Sequence, residues 1–207
     1  GCRRNDIVAV LHGGHAGQVA EVLDLPPARI RVVGAGYRED VFRPEDAAER
    51  TGQILYVGKY SLAKGLPCLL EAVDQLAASR VDCVLHVVGD GAGDEAEALR
   101  GRMQAMSPRV VLHGTLDQAA LADLMNRCAV CVLPSFYEGV PLVLAESLAC
   151  GCRLVATDLP GVARGIAPHV GDLLDRVPLP QMTAIDTPAP EALPGFVATL
   201  PDAHDRA

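Results

Sequence analysis

The chain has almost no aromatic side chains: three Phe, four Tyr and no Trp among 207 residues. A core built without them must be Val, Leu, Ala and Ile, which suits a parallel sheet buried on both faces. Positive charge is also scarce. Eighteen Lys and Arg against 26 Asp and Glu leave a formal charge of -8, which argues against a nucleic-acid partner, because a phosphate backbone is met with basic patches. No run of about 18 apolar residues occurs, so no transmembrane segment is expected. The opening residues carry no signal-peptide pattern, and Gly1 reads as a fragment boundary. Only 21% of residues are charged while 50% are hydrophobic, which excludes wholesale disorder. The length suits one substantial α/β domain, or one domain plus a fragment.

Seven cysteines, an odd number scattered through apolar runs, fit reduced, buried thiols in a cytoplasmic protein. Cys128 and Cys131 form a C-x-x-C, with Cys150 and Cys152 close in sequence, a spacing that can hold zinc or a redox couple. In "CAVCVLP" a strand would point its two sulfurs to opposite faces. Structural thiols are therefore expected there, and no metal site.

Short apolar runs alternate with helical periodicity along most of the chain. Candidate strands are 6–11, 30–33, 54–57, 83–88, 110–112, 129–133 and 154–156, continuous in hydrophobicity as strands covered on both faces are. Between them, Leu66, Leu69, Leu70, Val73, Leu76 and Ala77 follow the i, i+3, i+4, i+7 rule, with Pro67 in the first turn, where its missing N–H is harmless. Leu121, Leu124, Met125 and Cys128 share another helix face, with Asp117 as its cap. This alternation predicts a doubly wound, mainly parallel α/β sheet, whose ligands bind outside the carboxyl ends of its strands. From 177 to 201 six prolines, at 178, 180, 188, 190, 194 and 201, predict an extended, loosely docked tail. There is no internal repeat.

Two glycine-rich turns invite a dinucleotide reading and fail it. "VVGDGAGDEAEALR" has Gly89, Gly91 and Gly93 but Asp94 where the fingerprint needs glycine, and "VVGAGYRED" has Gly34 and Gly36 but Glu39. "GKYSLAKG" lacks the closing Gly-Lys-Ser/Thr of a phosphate loop. All three still follow apolar strands, where backbone N–H groups can meet a phosphate.

The most informative segment is "PSFYEGVPLVLAESLACGCRLVATDLPG", 134–161. A strand ends at Leu133, a polar loop follows, Pro141 opens a helix through Cys150, and Gly151 closes it. The free N–H groups at that helix start make an anion site. Glu138 stands in the loop and Glu146 on the helix. Taken singly, Glu138 could be a capping carboxylate and Glu146 a solvated charge.

Together, in this frame, they resemble the E-x7-E signature of retaining GT-B glycosyltransferases, E-G-x-P-L-x3-E-A-x-A-C-G-x-P-V. Glu138, Gly139, Pro141, Leu142, Glu146, Gly151, Val155 and Ala156 are in register. Upstream, "ILYVGKYSLAKGLPCLLEAV", "LHVVGDG", "VVLHGTLDQAALADLMNRCAVCVLPS" and "RIRVVGAGYREDVFRP" are similar to further family segments, so five in order cover 29–161. The resemblance implies one Rossmann-like half of a GT-B fold, divided as 1–28 (last strand and helix of a missing N-terminal acceptor domain, or a linker), 29–175 (nucleotide-sugar-binding domain) and 176–207 (Pro-rich segment).

It also implies roles. Glu146 would hold the ribose hydroxyls and Glu138 the donor sugar. Gly139, Val140, Pro141 and Leu142 would meet the diphosphate or sugar through their backbone, beside Gly36, Gly58 and Gly89. Lys64 and Lys59, counted with Glu138 as catalytic, would neutralise the leaving diphosphate. Gly114, Thr115 and Leu116 would receive the base. No metal or cofactor is implied. The donor would be a nucleotide sugar, UDP-linked before GDP-linked, transferred with retention to an acceptor hydroxyl. Some positions depart from the family. Lys59 replaces Arg, keeping charge without the bidentate fork. Ala35 and Tyr37 replace Asn and an aliphatic residue. Arg164 stands near a usual Glu, so no sugar contact is carried over there. His12 and His15 read as loop residues. Two alternatives stay open on the same residues: an epimerase-like nucleotide-sugar enzyme, and a non-catalytic nucleotide-sugar-binding module.

Overall fold

A computed structural model of the chain describes residues 7–10, 13–34, 36–45 and 50–204. The expected strand ends at Asp6 and Leu11, the residue His12 and Ala35 lie outside them. Strand β1 (Val8–Val10), helix α1 (Gly13–Leu23) and strand β2 (Ile30–Val32) come first. β1 and β2 form their own two-stranded parallel sheet. The strand at Ile30 therefore pairs backwards, with the segment expected to belong to another domain, and not into the central sheet. His15, expected in a loop, lies in α1.

The central sheet takes β3 (Gln53–Val57), β4 (Val84–Val88), β5 (Val110–Gly114), β6 (Val130–Leu133), β7 (Arg153–Thr157) and β8 (Leu174–Val177). Their order is β5-β4-β3-β6-β7-β8, and every pair is parallel. Helices α2 (Leu66–Ala78), α3 (Asp94–Ala105), α4 (Gln118–Met125) and α5 (Leu142–Ala149) are the crossovers, followed by α6 (Pro160–Gly165) and α7 (Ala167–Val170). This is the doubly wound α/β sheet expected from the alternation. Side chains alternate across it. Ile54, Tyr56, Val130, Val132 and Val155 enter a core with α2 and α3, while Leu55, Cys131, Leu133, Leu154 and Ala156 enter one with α4, α5 and α6. Asp117 caps α4, accepting the Ala120 N–H at 2.9 Å.

The tail differs from the expectation. A hairpin of β9 (Met182–Ala184) and β10 (Thr187–Pro188) leads into helix α8 (Leu193–His204), which packs along α2 and buries Phe196, Val197 and Leu200. The prolines hid it, but Pro194 falls in the first helical turn, where no N–H is needed. β8 was also unforeseen. Its polar Asp175 and Arg176 suit a sheet edge, where they lie 3.7 Å from Arg153 and 3.0 Å from Asp158.

The C-x-x-C sulfurs do not point to opposite faces. β6 begins only at Val130, so Cys128 lies before the strand, and both Cys128 and Cys131 point into the same core. Burial pushes their thiols up to about 12 and about 11, and those of Cys150 and Cys68 to about 11, so they stay protonated at neutral pH. Among the described residues all six cysteines are free thiols, no group of three or more His, Cys, Asp or Glu is placed to hold a metal ion, and no helix is long and apolar enough to cross a membrane.

A polar row interrupts the second face. His86 Nδ1 lies 2.9 Å from His113 Nε2, and His86 Nε2 lies 2.8 Å from Gln53 Oε1. Burial lowers both histidine pKa values, with His113 adding to the effect on His86 and Arg127 to both. Below about pH 6.5 the unfolded chain therefore binds protons that the folded chain refuses. Stability is full above that pH and is lost as pH falls toward the depressed folded values. The melting temperature should drop between about pH 7 and about pH 5.5, and His113→Gln should flatten the slope.

Candidate functional site

β3 and β6 lie side by side, and the chain leaves them in opposite directions, to β4 and to β7. Such a reversal opens a crevice outside the carboxyl ends of the two strands. Loop 58–65 leaves β3 and loop 134–141 leaves β6. The Phe136 N–H donates to the Ala63 carbonyl at 2.9 Å, tying them together. Gly65, at φ 68, sits so near Pro134 that a Cβ would lie 1.9 Å from its carbonyl oxygen. Both the left-handed backbone and the close approach require glycine there.

In this crevice Lys64 Nζ meets Glu138 Oε1 at 2.7 Å, the side chains 28% and 17% exposed. Two of the expected catalytic residues, 74 positions apart, thus form one ion pair. The ammonium also lies 3.5 Å from the Tyr137 carbonyl. Lys59 is not part of the pair. Its side chain is exposed, without an ion-pair partner among the described residues, and its carbonyl accepts the Tyr56 hydroxyl at 2.7 Å.

Helix α5 starts beside the pair. Pro141 occupies the cap position and no side chain caps the helix, which leaves first-turn N–H groups and the positive dipole end for an anion. Leu142 at the first position is 40% exposed. Glu146 follows one turn later on the same helix. It is half-buried, and burial pushes its pKa up. Gly139 and Val140 are clamped from the far side. A Cβ on Gly161 at the start of α6 would lie 1.5 Å from the Gly139 carbonyl oxygen, and Val140 packs into the second core.

Three of the expected glycines form a row across the sheet edge. Gly58 N–H donates to Val88 at 3.0 Å and Gly89 N–H to Gly114 at 2.8 Å, while a Cβ on Gly89 would lie 2.1 Å from the Gly58 carbonyl oxygen. Beyond Gly114, Thr115 is exposed and Leu116 half-buried, ahead of the α4 cap. Gly36 is exposed with open space around it, outside this row.

Supports that the motifs did not mark hold loop 58–65 from the α3 side. Glu95 accepts the Leu62 N–H at 2.7 Å, and Tyr60 N–H donates to Asp90 at 3.2 Å. Arg100 bonds Asp90 at 2.6 Å and lies 5.6 Å over the Tyr60 ring. The Gly91 N–H, and then Arg100, hold the Asp90 carboxyl below its ordinary range. Only the tertiary fold joins these residues, so no local pattern announces them.

The profile of a family described as "Glycosyl transferases group 1" matches residues 51–177. A D-inositol 3-phosphate glycosyltransferase of Segniliparus rotundus is 26% identical over 204 residues, 92% of this chain and 43% of the relative. A glycogen synthase of Mycobacterium tuberculosis is 27% identical over 168 residues, 79% of this chain and 40% of the relative. The chain thus spans about two fifths of the length of these relatives. Among solved structures, Anabaena HepE in complex with UDP and glucose superposes with a TM-score of 0.73 at 16% identity, covering 99% of this chain and 56% of that one. The pneumococcal O-GlcNAc transferase GtfA in complex with UDP and GlcNAc gives 0.73 at 16%, covering 99% and 39%. At such identities these two likenesses speak for the fold.

Proposed function

The chain belongs to the group 1 glycosyl transferases, and from that premise we propose that it is the donor half of such an enzyme, binding a nucleotide-diphosphate sugar at the β3–β6 crevice. The observation that carries the reading is the Lys64–Glu138 pair at the switch point, beside the uncapped start of α5. The pair offers a cation for a diphosphate and a carboxylate for sugar hydroxyls, and the helix start offers N–H groups for phosphate oxygens. Diphosphate charge grows as the glycosidic bond breaks, so Lys64, Lys59 and the helix dipole would act more strongly in the transition state than on bound donor. Cationic side chains and a helix end in this role are the basis for proposing metal-independent transfer; retention is proposed on the E-x7-E resemblance of 138–146. The turn at Gly114, Thr115 and Leu116, at the end of the glycine row, is the proposed seat of the base, with UDP favoured over GDP.

The acceptor, a sugar or other hydroxyl compound, would be held by a second domain across the crevice; the relatives' greater length supports this division. Six buried thiols held protonated or free in the core support a reducing, cytoplasmic setting. A melting-temperature panel with UDP, GDP, ADP and their sugars tests the reading directly. A rise with at least one nucleotide sugar is the expected result, and no rise with any of them would overturn it.

Glu146 carries the ribose assignment. Glu146→Ala should weaken uridine and UDP alike by about 1–3 kcal/mol, the range for a lost buried hydrogen-bond partner. Because burial raises its pKa, the accepting carboxylate is lost on acidification earlier than an ordinary Glu of about 4.3 would be. Calorimetric uridine affinity should therefore fall as pH drops toward that raised value, and the fall should vanish in Glu146→Ala.

A further inference from the structure

The tail helix reaches the site through one side chain. Phe136, two residues before Glu138, is 1% exposed, and its ring packs on that of Phe196 in α8, with centroids 5.1 Å apart and planes tilted by 55°. Tilted pairs at this distance are favourable beyond the area that they bury. The Phe136 N–H holds the carbonyl of Ala63, the neighbour of Lys64. Helix α2, which begins two residues after Lys64, is the surface along which α8 packs. Phe196 therefore backs both arms of the ion pair. Among the described residues, the hydroxyl of the fully buried Ser135 has no hydrogen-bond partner, and the Glu138 carboxylate bonds Lys64 alone.

We propose that Phe196 is a positioning residue for the Lys64–Glu138 pair, acting through Phe136 and the backbone bond to Ala63. The proposal rests on the reading of that pair as the donor site. The α8 neighbour Leu200 separates positioning from mere stability. It is 5% exposed and lines a void of about 20 Å³ with Ile54, Leu69, Val73 and Val155, beneath α2. Phe136 does not line that void, so truncating Leu200 loosens the same helix at a different place.

The test uses the full chain, ligand-free and with UDP-glucose as probe, at a temperature well below each variant's melting point. Hydrogen exchange over residues 134–141 should quicken about tenfold in Phe196→Ala, a local opening rather than a global one. UDP-glucose affinity should fall by about tenfold or more, since small misplacements of a site are costly. Leu200→Ala, with a comparable fall in melting temperature, should leave both readouts within about twofold of the parent. Phe196→Leu, which keeps an apolar bulk against Phe136 and serves in its place if Phe196→Ala does not fold, should give an intermediate result. Unchanged exchange in both Phe196 variants, or equal quickening in Leu200→Ala, would overturn the positioning role. A parent chain that shows the exchange contrast but no UDP-glucose binding would retain the mechanical coupling and remove the donor assignment.

Discussion

Gly161→Ala is expected to weaken UDP-glucose binding by about a hundredfold, a larger loss than most substitutions within the crevice itself. The new Cβ would stand 1.5 Å from the Gly139 carbonyl oxygen and 2.7 Å from its carbon. Ordinary contact lies near 3.4 Å, so the loop or the start of α6 must retreat by about 2 Å. The obstacle is backbone, and no rotamer change relieves it. Forcing a tightly packed contact apart destabilises by about 1–3 kcal/mol, and moving a site by 1 Å can reduce its function about a hundredfold. Gly139 lies between Glu138 and the α5 helix start, so both the sugar contact and the phosphate contact shift together. Gly165→Ala on the same helix is the control: its Cβ would meet only Val140 methyls, at 3.4 and 3.5 Å, and it should bind like the parent while melting slightly higher. Calorimetry on the two variants decides the matter. Parent-like affinity in Gly161→Ala would mean that α6 does not set the loop.

That clamp shows where sequence reading stops. The frame of the site was legible because its signals are local. The apolar runs located the six strands from 30–33 to 154–156 to within two residues at each end, and the glycine-proline pattern around 139–141 placed a helix start after a strand. Resemblance then drew Lys64 and Glu138 to one site, and the strand order brought them within 2.7 Å. What could not be read depends on pairing between distant segments. The strand at Ile30 has the same apolar run whether it joins β1 or the central sheet, and only the β1 register distinguishes them. Helix α8 was hidden because six prolines argue for extension, although four of them precede it, Pro194 falls in its harmless first turn and Pro201 lies in its last turn. Its amphipathic face, with Phe196, Val197 and Leu200, becomes meaningful only against α2. The two cysteines went to one face for a similar reason: the strand begins at Val130, so Cys128 lies outside it and strand alternation does not apply to the pair.

Lys64→Ala should weaken UDP by about 3–5 kcal/mol, more than a lost phosphate contact alone. Removing a charge-assisted hydrogen bond accounts for about 1.5–3 kcal/mol. The rest comes from Glu138, which is only 17% exposed and has no other partner among the described residues. Left unpaired, its carboxylate faces the incoming diphosphate, and like charges about 6 Å apart at an effective dielectric near 20 repel by about 3 kcal/mol before salt screens them. The same pairing fixes the sign of the partner variant. Glu138→Gln keeps the shape, frees Lys64 and removes the repulsion, so plain UDP should bind several-fold tighter than in the parent. UDP-glucose should gain less or lose affinity, because the amide is a poorer acceptor for sugar hydroxyls than a carboxylate. In the double variant, Lys64→Ala with Glu138→Gln, much of the single Lys64 loss should be recovered, giving a coupling energy of about 1–3 kcal/mol as contacting residues do. Calorimetric titrations of the four proteins with UDP and UDP-glucose give every term. Additive losses for UDP would show that the two residues meet the donor independently, and the ion pair would then be incidental to binding.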